Sequence, residues 1–299
     1  MALTEPSRLT KPLPGGREGA SVVVHPMVCA YMDSPPEFMA MTGGKLATMR
    51  KGLGSRKGWI KLPIVAFLVE HPGAGPIIID TGFHPSVAHD PKQNLGRVYG
   101  RIYSIDMRPE QAISAQLREQ KGIDPSDVRV AIMTHLHMDH ASAISEFTSA
   151  TYVLGSGEWR AFHASRFALN GYVRHHVQHA VEYKEVPYDS PVIDSYGTFG
   201  RSFDLFGDGS VRLVYTPGHT HGHQSVILRL KEREALVTGD AIYFLRTLED
   251  ERRGFVMADE HKWRRSIGEI RLYRRENPDA LIIPGHDPDA WAQLAPRYE

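Results

Sequence analysis

The stretch IMTHLHMDHAS, residues 132–142, places three imidazoles and a carboxylate within six consecutive positions. Alternate residues of an extended segment point to the same side, so His135 and His137 can reach one metal ion. Asp139 and His140 follow after a tight bend, where they are placed to serve a second ion. The spacing therefore predicts a metal site at this point of the chain.

Three further segments end in a residue that can bind a metal. VYTPGH ends in His219, LVTGD ends in Asp240, and LIIPGH ends in His286. A single histidine in such a turn is more often structural, but four motifs in this order, each at a strand end, favour a common site. Nitrogen and oxygen ligands without a thiolate suit Zn²⁺ and also admit Mn²⁺, Fe²⁺ or Co²⁺.

Hydrophobic patterning predicts an α/β fold. Apolar runs bounded by turn residues predict strands at 21–32, 63–71, 76–82, 127–135, 150–155, 210–219, 223–230, 234–240 and 280–286. Helical spacing predicts helices over 108–123 and 261–277 and a helix that begins near 157. Two sheets packed face to face with helices outside satisfy this order. We expect one domain over 1–299, with 1–60 an N-terminal extension or strap and 160–200 an insertion.

The composition narrows the class of protein. The chain has 299 residues, of which 41% are hydrophobic, and its formal net charge is zero. A formal net charge of zero argues against a nucleic-acid partner. The chain has a single cysteine, Cys29, so an internal disulfide is excluded. We expect Cys29 to be a small residue of the core. With no apolar leader in the first residues and no apolar run of spanning length, we expect a cytoplasmic protein without a membrane partner. A homodimer is the oligomer to consider, because it is the commonest one among soluble proteins.

Several other histidines lie near the motifs. His175, His176 and His179 have weak spacing, so we read them as solvated or structural, with pocket lining as the alternative. His221 and His223 flank His219, and one of them is expected to hydrogen-bond to a ligand or to close a loop. They are not needed as direct ligands because the set is already full.

Together THLHMDH, TPGHTHGH, TGD and IPGH resemble the metal-binding motifs of the metallo-β-lactamase superfamily, over roughly residues 60–290. That resemblance implies an αβ/βα four-layer sandwich with a dinuclear site at one sheet edge. It also implies that Asp80, in IIIDTG, supports the ligands without binding metal. The ligands that it implies are His135, His137 and His219 for the first metal, Asp139, His140 and His286 for the second, and Asp240 as the bridge between them.

The superfamily contains many activities, so the fold alone does not give the substrate. Zinc β-lactamases of the commonest type have Cys where Asp240 stands here, and flavodiiron proteins have Glu in place of His137, so hydrolysis is favoured over redox chemistry. GDAIYF places Tyr243 three residues after Asp240. This pattern resembles the N-acyl-homoserine lactone lactonases, in which that tyrosine reaches the lactone carbonyl. The alternative is that Tyr243 is a core or rim residue.

We therefore expect a dinuclear metallohydrolase that opens the ester ring of lactones, above all N-acyl-homoserine lactones, and so quenches quorum signals. The expected nucleophile is a hydroxide that bridges two divalent ions, with Tyr243 stabilising the oxyanion and Asp139 passing a proton to the leaving alkoxide. Alternatives are a hydrolase of other esters or phosphotriesters, a metal-binding protein without catalysis, and a nuclease. The residues expected to line an acyl-chain pocket are Met27, Phe38, Met39, Met41 and Trp59, and the alternative is that they pack in the core or at a dimer interface. Phe83, just after the strand that ends in Asp80, is expected near the site.

Overall fold

A computed structural model describes residues 5–165, 170–179 and 181–299. In this part of the chain there are fourteen strands and ten α-helices. The strands are β1 (Ser7–Arg8), β2 (Val23–Ser34), β3 (Ile60–His71), β4 (Gly75–Ile79), β5 (Ser104–Asp106), β6 (Val130–Ile132), β7 (Thr151–Gly155), β8 (Glu182–Val186), β9 (Asp194–Tyr196), β10 (Phe199–Asp204), β11 (Val211–Tyr215), β12 (Gln224–Arg229), β13 (Glu234–Val237) and β14 (Leu281–Ile283). The helices are α1 (Pro36–Met39), α2 (Lys45–Gly54), α3 (Pro91–Ile102), α4 (Ile113–Gln116), α5 (Met138–Ala141), α6 (Glu158–Ala164), α7 (Arg174–Val177), α8 (Thr247–Asp250), α9 (Glu260–Glu276) and α10 (Pro288–Trp291).

The strands form two sheets. The first has eight strands in the order β1-β8-β7-β6-β4-β3-β2-β5, and the second has six in the order β14-β13-β12-β11-β10-β9. In the first sheet β4, β6, β7 and β8 run parallel to one another. In the second, β11 and β13 both run antiparallel to β12, and β14 runs parallel to β13. The strands that precede the predicted ligands therefore end at the same edge of their sheets.

The sheets pack face to face because their strands are apolar on the inner side. Val130 and Ile132 of β6 face Leu213 of β11 and Val237 of β13 across the shared core. Between them, Ala131 of β6 points to the opposite face of its sheet. Strands buried on both faces read as continuous apolar runs, which is the pattern of this sequence.

Helices cover both outer faces. Ile113 of α4 and Trp159 and Phe162 of α6 pack on the first sheet. Trp263 and Ile267 of α9 pack on the second. Helix α9 begins at its cap, Asp259, whose side chain accepts a hydrogen bond from the backbone N–H of Lys262. The predicted four-layer αβ/βα sandwich is confirmed.

Some details of the predicted elements are wrong. The helix expected over 108–123 is a short 3₁₀ turn, α4 and a π-turn in succession, because Ala112 is extended at ψ 141° and interrupts it. Its expected end at Gly122 is confirmed, since that residue adopts φ 65°. The patterning predicted no strands for β1, β5, β8, β9 and β10, and no helices for α2 and α3.

The division of the chain into a domain, an extension over 1–60 and an insertion over 160–200 stays a prediction. Strand β2, within 1–60, pairs with β3 and β5 in the first sheet. Residues 1–4 of the expected strap, and residues 166–169 and 180 of the expected insertion, lie outside the described residues.

No helix among those described combines the length and the apolar character needed to cross a bilayer.

Candidate metal centre

All seven residues predicted as ligands lie together at the common edge of the two sheets. Within the described chain, two groups of side chains hold donor atoms within 4.8 Å of one another. The first group contains His135, His137, His219 and Asp240, and the second contains Asp139, His140 and His286. Every one of these side chains is buried or nearly so.

The first group converges on one point. The Nε2 atom of His219 lies 2.9 Å from Nδ1 of His137 and 3.2 Å from Nε2 of His135. The same nitrogen lies 3.2 Å from Oδ2 of Asp240. Three imidazole nitrogens and a carboxylate oxygen thus surround one position, which is the donor set of a catalytic zinc site.

The second group faces the other oxygen of the same carboxylate. Oδ1 of Asp240 lies 3.0 Å from Nε2 of His286 and 3.3 Å from Nε2 of His140. Oδ2 of Asp139 lies 3.5 Å from Nε2 of His286. Since Asp240 presents one oxygen to each group, its geometry suits a ligand shared by two metal ions.

The outer nitrogens of the imidazoles are held by neighbouring groups. His140 donates from Nδ1 to Oδ2 of Asp80 at 2.7 Å, and that carboxylate also accepts from the backbone N–H of Thr134 at 2.8 Å. Nδ1 of His286 donates to the carbonyl of Pro63 at 2.9 Å. Such partners fix the ring orientation and direct the inner nitrogen towards a metal. Asp80 therefore occupies the supporting position that the sequence predicted.

Two observations show that the residues fit divalent cations. Nε2 of His140 and Oδ1 of Asp240 are buried without a hydrogen-bond partner, which is costly unless another group binds them. Burial lowers the pKa of His135 and His137 well below the usual value, so both rings are neutral and able to coordinate.

The charge of the second group also favours a cation. Burial alone would lower the pKa of His140, but the carboxylates of Asp240, Asp80 and Asp139 outweigh it and raise that pKa well above its usual value. Burial likewise opposes a raised pKa at His286, and Asp240 and Asp139 overcome it. These buried carboxylates stabilise positive charge at this position, which is where the sequence predicts a second metal ion.

Comparison with known proteins agrees with this geometry. The family described as the Metallo-beta-lactamase superfamily matches residues 59–286. The chain belongs to this superfamily.

Curated relatives within the superfamily include the N-acyl homoserine lactonase AttM of Rhizobium radiobacter, which is 34% identical over 245 residues, 80% of this chain and 88% of the relative. The N-acyl homoserine lactonase of Bacillus thuringiensis is 28% identical over 76% of this chain and 82% of its own. A solved N-acyl homoserine lactone hydrolase with N-hexanoyl-L-homoserine at its metal centre superimposes with a TM-score of 0.74. It is 22% identical over 93% of this chain and 99% of its own, and this likeness shows the fold.

One buried acid of the site, Glu158 at the start of α6, was not predicted from the sequence. Its Oε1 accepts from the N–H of Leu136 at 2.9 Å and from the hydroxyl of Tyr172 at 3.0 Å. Its Oε2 accepts from the hydroxyl of Thr220 at 2.6 Å and from the N–H of Gly222 at 3.1 Å. The carboxylate thus joins the loop of His135 and His137 to the loop of His219. The only signal in the sequence is an acid at a helix start, which is common in helices without such a role.

Gly171 brings the expected insertion back to the metal centre. Its carbonyl accepts from the N–H of Met138 at 2.9 Å. A Cβ at this position would lie 2.4 Å from Cδ2 of His137, and the backbone has φ +86°. Only glycine fits both the conformation and the close approach to the His137 ring.

A cavity reaches both ligand groups. Its inner end is formed by ligand residues and Tyr243, and its wall is apolar. The apolar residues of that wall are Met32, Phe38, Met39, Met49, Leu53, Leu62, Ile102, Met138, Phe255 and Val256. Of the five residues predicted to line an acyl-chain pocket, Phe38 and Met39 are found here.

The other three residues of that prediction lie elsewhere. Met27 packs under the outer face of the first sheet. Phe83, which was expected near the site, is fully buried in the same apolar cluster as Met39 and Tyr243. Met41 is buried, and its sulfur contacts the guanidinium of Arg253. The indole N–H of Trp59 donates to the carbonyls at the end of α2.

Tyr243 lies at the boundary between the apolar wall and the ligands. Its hydroxyl is 3.2 Å from Nδ1 of His219, which also lies 3.2 Å from the carbonyl of Val256. Because Nε2 of His219 faces the ligand group, the proton of the ring belongs on Nδ1, which then donates. The hydroxyl of Tyr243 accepts and keeps its own proton for a group in the cavity. Burial raises the pKa of Tyr243 well above its usual value, so it stays protonated.

The remaining histidines are structural or exposed. His176 is buried and hydrogen-bonds to the side chain of Asn94 at 2.8 Å, whereas His175 is exposed. His223 closes the loop after β11, since its carbonyl accepts from the N–H of Thr216 and its Nδ1 lies 3.0 Å from that hydroxyl. Cys29 is a buried core residue as expected, and burial raises the pKa of its thiol to about 12.

Proposed function

We propose that this protein is a metal-dependent hydrolase that opens the ring of N-acyl-homoserine lactones. The observation that carries the proposal is the shape of the cavity, which has a polar end at the two ligand groups and an apolar wall leading outward. An acylated lactone has the same division, with an ester ring at one end and a hydrocarbon chain at the other. The lactonases among the curated relatives support the same substrate class.

The proposed metals are two divalent ions, with Zn²⁺ the first candidate because the ligands are imidazole and carboxylate. We assign His135, His137 and His219 to one ion, Asp139, His140 and His286 to the other, and Asp240 to both, in agreement with the two groups of donor atoms. When bound, such ions supply Lewis acidity and a nucleophile from water at neutral pH.

Two side chains of the cavity are proposed to take part in the reaction. The protonated hydroxyl of Tyr243 donates to the carbonyl oxygen of the ring as negative charge develops there. Asp139, which lines the same cavity, takes a proton from the attacking water and passes it to the ring oxygen that leaves. The product is an open-chain N-acyl-homoserine.

The wall of the cavity has a separate part in binding. Phe38 and Phe255 stack with their ring centroids 4.8 Å apart, and Met39 and Met49 lie beside them. Methionine side chains adapt to ligands of different shape. We therefore propose that this wall holds the acyl chain and excludes water from the ester.

A cytoplasmic location and a homodimer also stay predictions.

The test is hydrolysis of N-acyl-homoserine lactones of several chain lengths, followed by pH-stat, with the protein loaded with Zn²⁺ and after chelation. We expect ring opening that depends on metal and improves with chain length up to the capacity of the wall. In Tyr243→Phe, loss of one donor to the oxyanion lowers kcat by about 10²–10³-fold with metal content unchanged.

Two results would overturn the proposal. No turnover of any chain length by fully loaded protein would exclude the lactones, and a parallel panel of simple esters and phosphotriesters would then identify the alternative substrate. Undiminished turnover by the Tyr243→Phe variant would remove that side chain from the reaction.

A further inference from the structure

Two segments beside the mouth of the cavity are strongly basic. Residues 38–69 contain six lysines and arginines and no acidic residue, and residues 91–103 contain three and none. All nine of these side chains are exposed. The zero net charge of the chain therefore includes a local excess of positive charge in these two segments.

These two segments are joined in space. The guanidinium of Arg56 donates to the carbonyls of Arg101 and Ile102 at 3.1 and 3.3 Å. Met49 and Leu53 of α2 and Ile102 of α3 line the same cavity. We call the exposed surface of residues 38–69 and 91–103 the basic rim, because residues of both segments line this cavity.

The basic rim also exposes apolar side chains. Among the residues that the structure describes, four large apolar side chains are exposed, and three of them belong to the rim. They are Leu46 at 79%, Leu53 at 42% and Val98 at 41%. Scattered apolar residues are normal on a surface, but here they are concentrated at one place, among cations.

The cations of the rim are largely uncompensated. Within the described residues, Lys51 is paired with Glu37 and Lys61 with Asp106, and the other seven form no ion pair. Clustered lysines and arginines beside exposed leucines are the features that bind anionic lipid surfaces, where the charges meet head groups and the leucines enter the acyl boundary.

We propose that the basic rim is a docking surface for an anionic lipid bilayer, with the mouth of the cavity facing the lipid. A nucleic acid would satisfy the cations but would leave Leu46, Leu53 and Val98 without an apolar partner. A second copy of the chain would cover the leucines but would bring the same nine cations against its own rim in a symmetric dimer. The proposal goes beyond lactone hydrolysis and does not depend on it.

The test is sedimentation of the full chain with vesicles of phosphatidylcholine alone and of equal parts phosphatidylcholine and phosphatidylglycerol. We expect binding to the anionic vesicles only, and weaker binding as salt is raised. In a triple variant, Arg50→Gln, Lys57→Gln and Arg97→Gln remove three unpaired cations of the rim. Each cation at such a surface is worth about fivefold, so binding falls by about 100-fold.

A matched control separates the rim from the total charge. The triple variant with Lys11→Gln, Arg129→Gln and Arg275→Gln removes three exposed, unpaired cations outside the rim, and we expect it to bind like the parent. Leu46→Gln tests the apolar contribution and weakens binding by about tenfold.

The proposal fails if the parent protein does not bind anionic vesicles, if the two triple variants bind equally well, or if neutral vesicles bind as strongly. It also fails if the rim variant changes the mass of the protein in sedimentation equilibrium without any lipid binding, since the rim would then join two copies of the chain.

Discussion

Replacing Glu158 by glutamine tests how strongly metal binding depends on a buried residue that is not one of the seven proposed ligands. The carboxylate accepts four hydrogen bonds, two at each oxygen. Three come from the loops that hold His135, His137 and His219, and the fourth comes from the hydroxyl of Tyr172. Glutamine has the same shape but presents an NH₂ group in place of one oxygen. That group cannot accept, so it opposes the two donors that it faces.

The loss of stability depends on which of the four donors can instead accept a hydrogen bond from the NH₂ group. The hydroxyls of Tyr172 and Thr220 can rotate and accept from the new NH₂ group. A backbone N–H cannot, so that of either Leu136 or Gly222 loses its acceptor in a site that is fully buried. A buried donor left unpaired costs about 1–3 kcal/mol. Burial raises the pKa of Glu158, so removal of its charge offsets part of this loss.

We therefore expect Glu158→Gln to lower the free energy of unfolding by about 1–3 kcal/mol and the affinity for metal by about 10–100-fold. The measurements are unfolding in urea and competition for Zn²⁺ with a chromophoric chelator. Tyr172→Phe is the matched control, because it removes one neutral donor and leaves the carboxylate with three. Its expected loss of stability is about 0.5–1.5 kcal/mol. If Glu158→Gln binds Zn²⁺ as tightly as the parent, the carboxylate does not position the ligand loops.

Three other changes test separate parts of the structure. Asp80→Asn removes the carboxylate that His140 donates to, and chelator competition should show about 10–100-fold weaker metal binding; unchanged binding would contradict the supporting role. Gly171→Ala places a Cβ 2.4 Å from the His137 ring, so metal analysis should find less metal per chain, and full occupancy would refute the steric argument. Burial lowers the pKa of His176 from 6.5 to about 3. The unfolded chain thus gains a proton below pH 6.5 that the folded chain does not. The free energy of unfolding therefore decreases as the pH is lowered. Between pH 7 and 5 the parent should lose about 2 kcal/mol more than His176→Asn in urea unfolding, whereas equal losses would show that His176 titrates normally.

The ligand residues could be predicted from the sequence because their positions follow from strand direction. Each lies just after an apolar run, and strands β6, β11, β13 and β14 precede His135, His219, Asp240 and His286 respectively. Since these strands all end at one edge, residues far apart in the chain meet there. Local pattern and topology therefore agree, and the prediction needed no side-chain detail.

Glu158 could not be predicted because nothing in its local sequence sets it apart from other acids at helix starts. Its role depends on the approach of two loops from different sheets. The prediction of the residues that line the cavity was partly wrong for a related reason. A bulge between Val28 and Ala30 shifts the register of β2 by one residue, so Met32 lies on the same face of the sheet as Met27 but closer to the ligands. Alternation read from the sequence places these two methionines on opposite faces.

The segment that contains α1 and α2 shows why substrate preference is harder to read than chemistry. Two backbone hydrogen bonds hold it against the loop after α8, from the N–H of Met41 to the carbonyl of Arg253 and from the N–H of Phe255 to the carbonyl of Phe38. Backbone groups are the same in every residue, so these contacts leave no pattern in the sequence. The residues that bind metal are determined by their own chemistry, whereas the residues that meet the acyl chain are determined by where such contacts place the segment. A sequence can therefore identify the reaction of this centre more readily than the length of chain that it accepts.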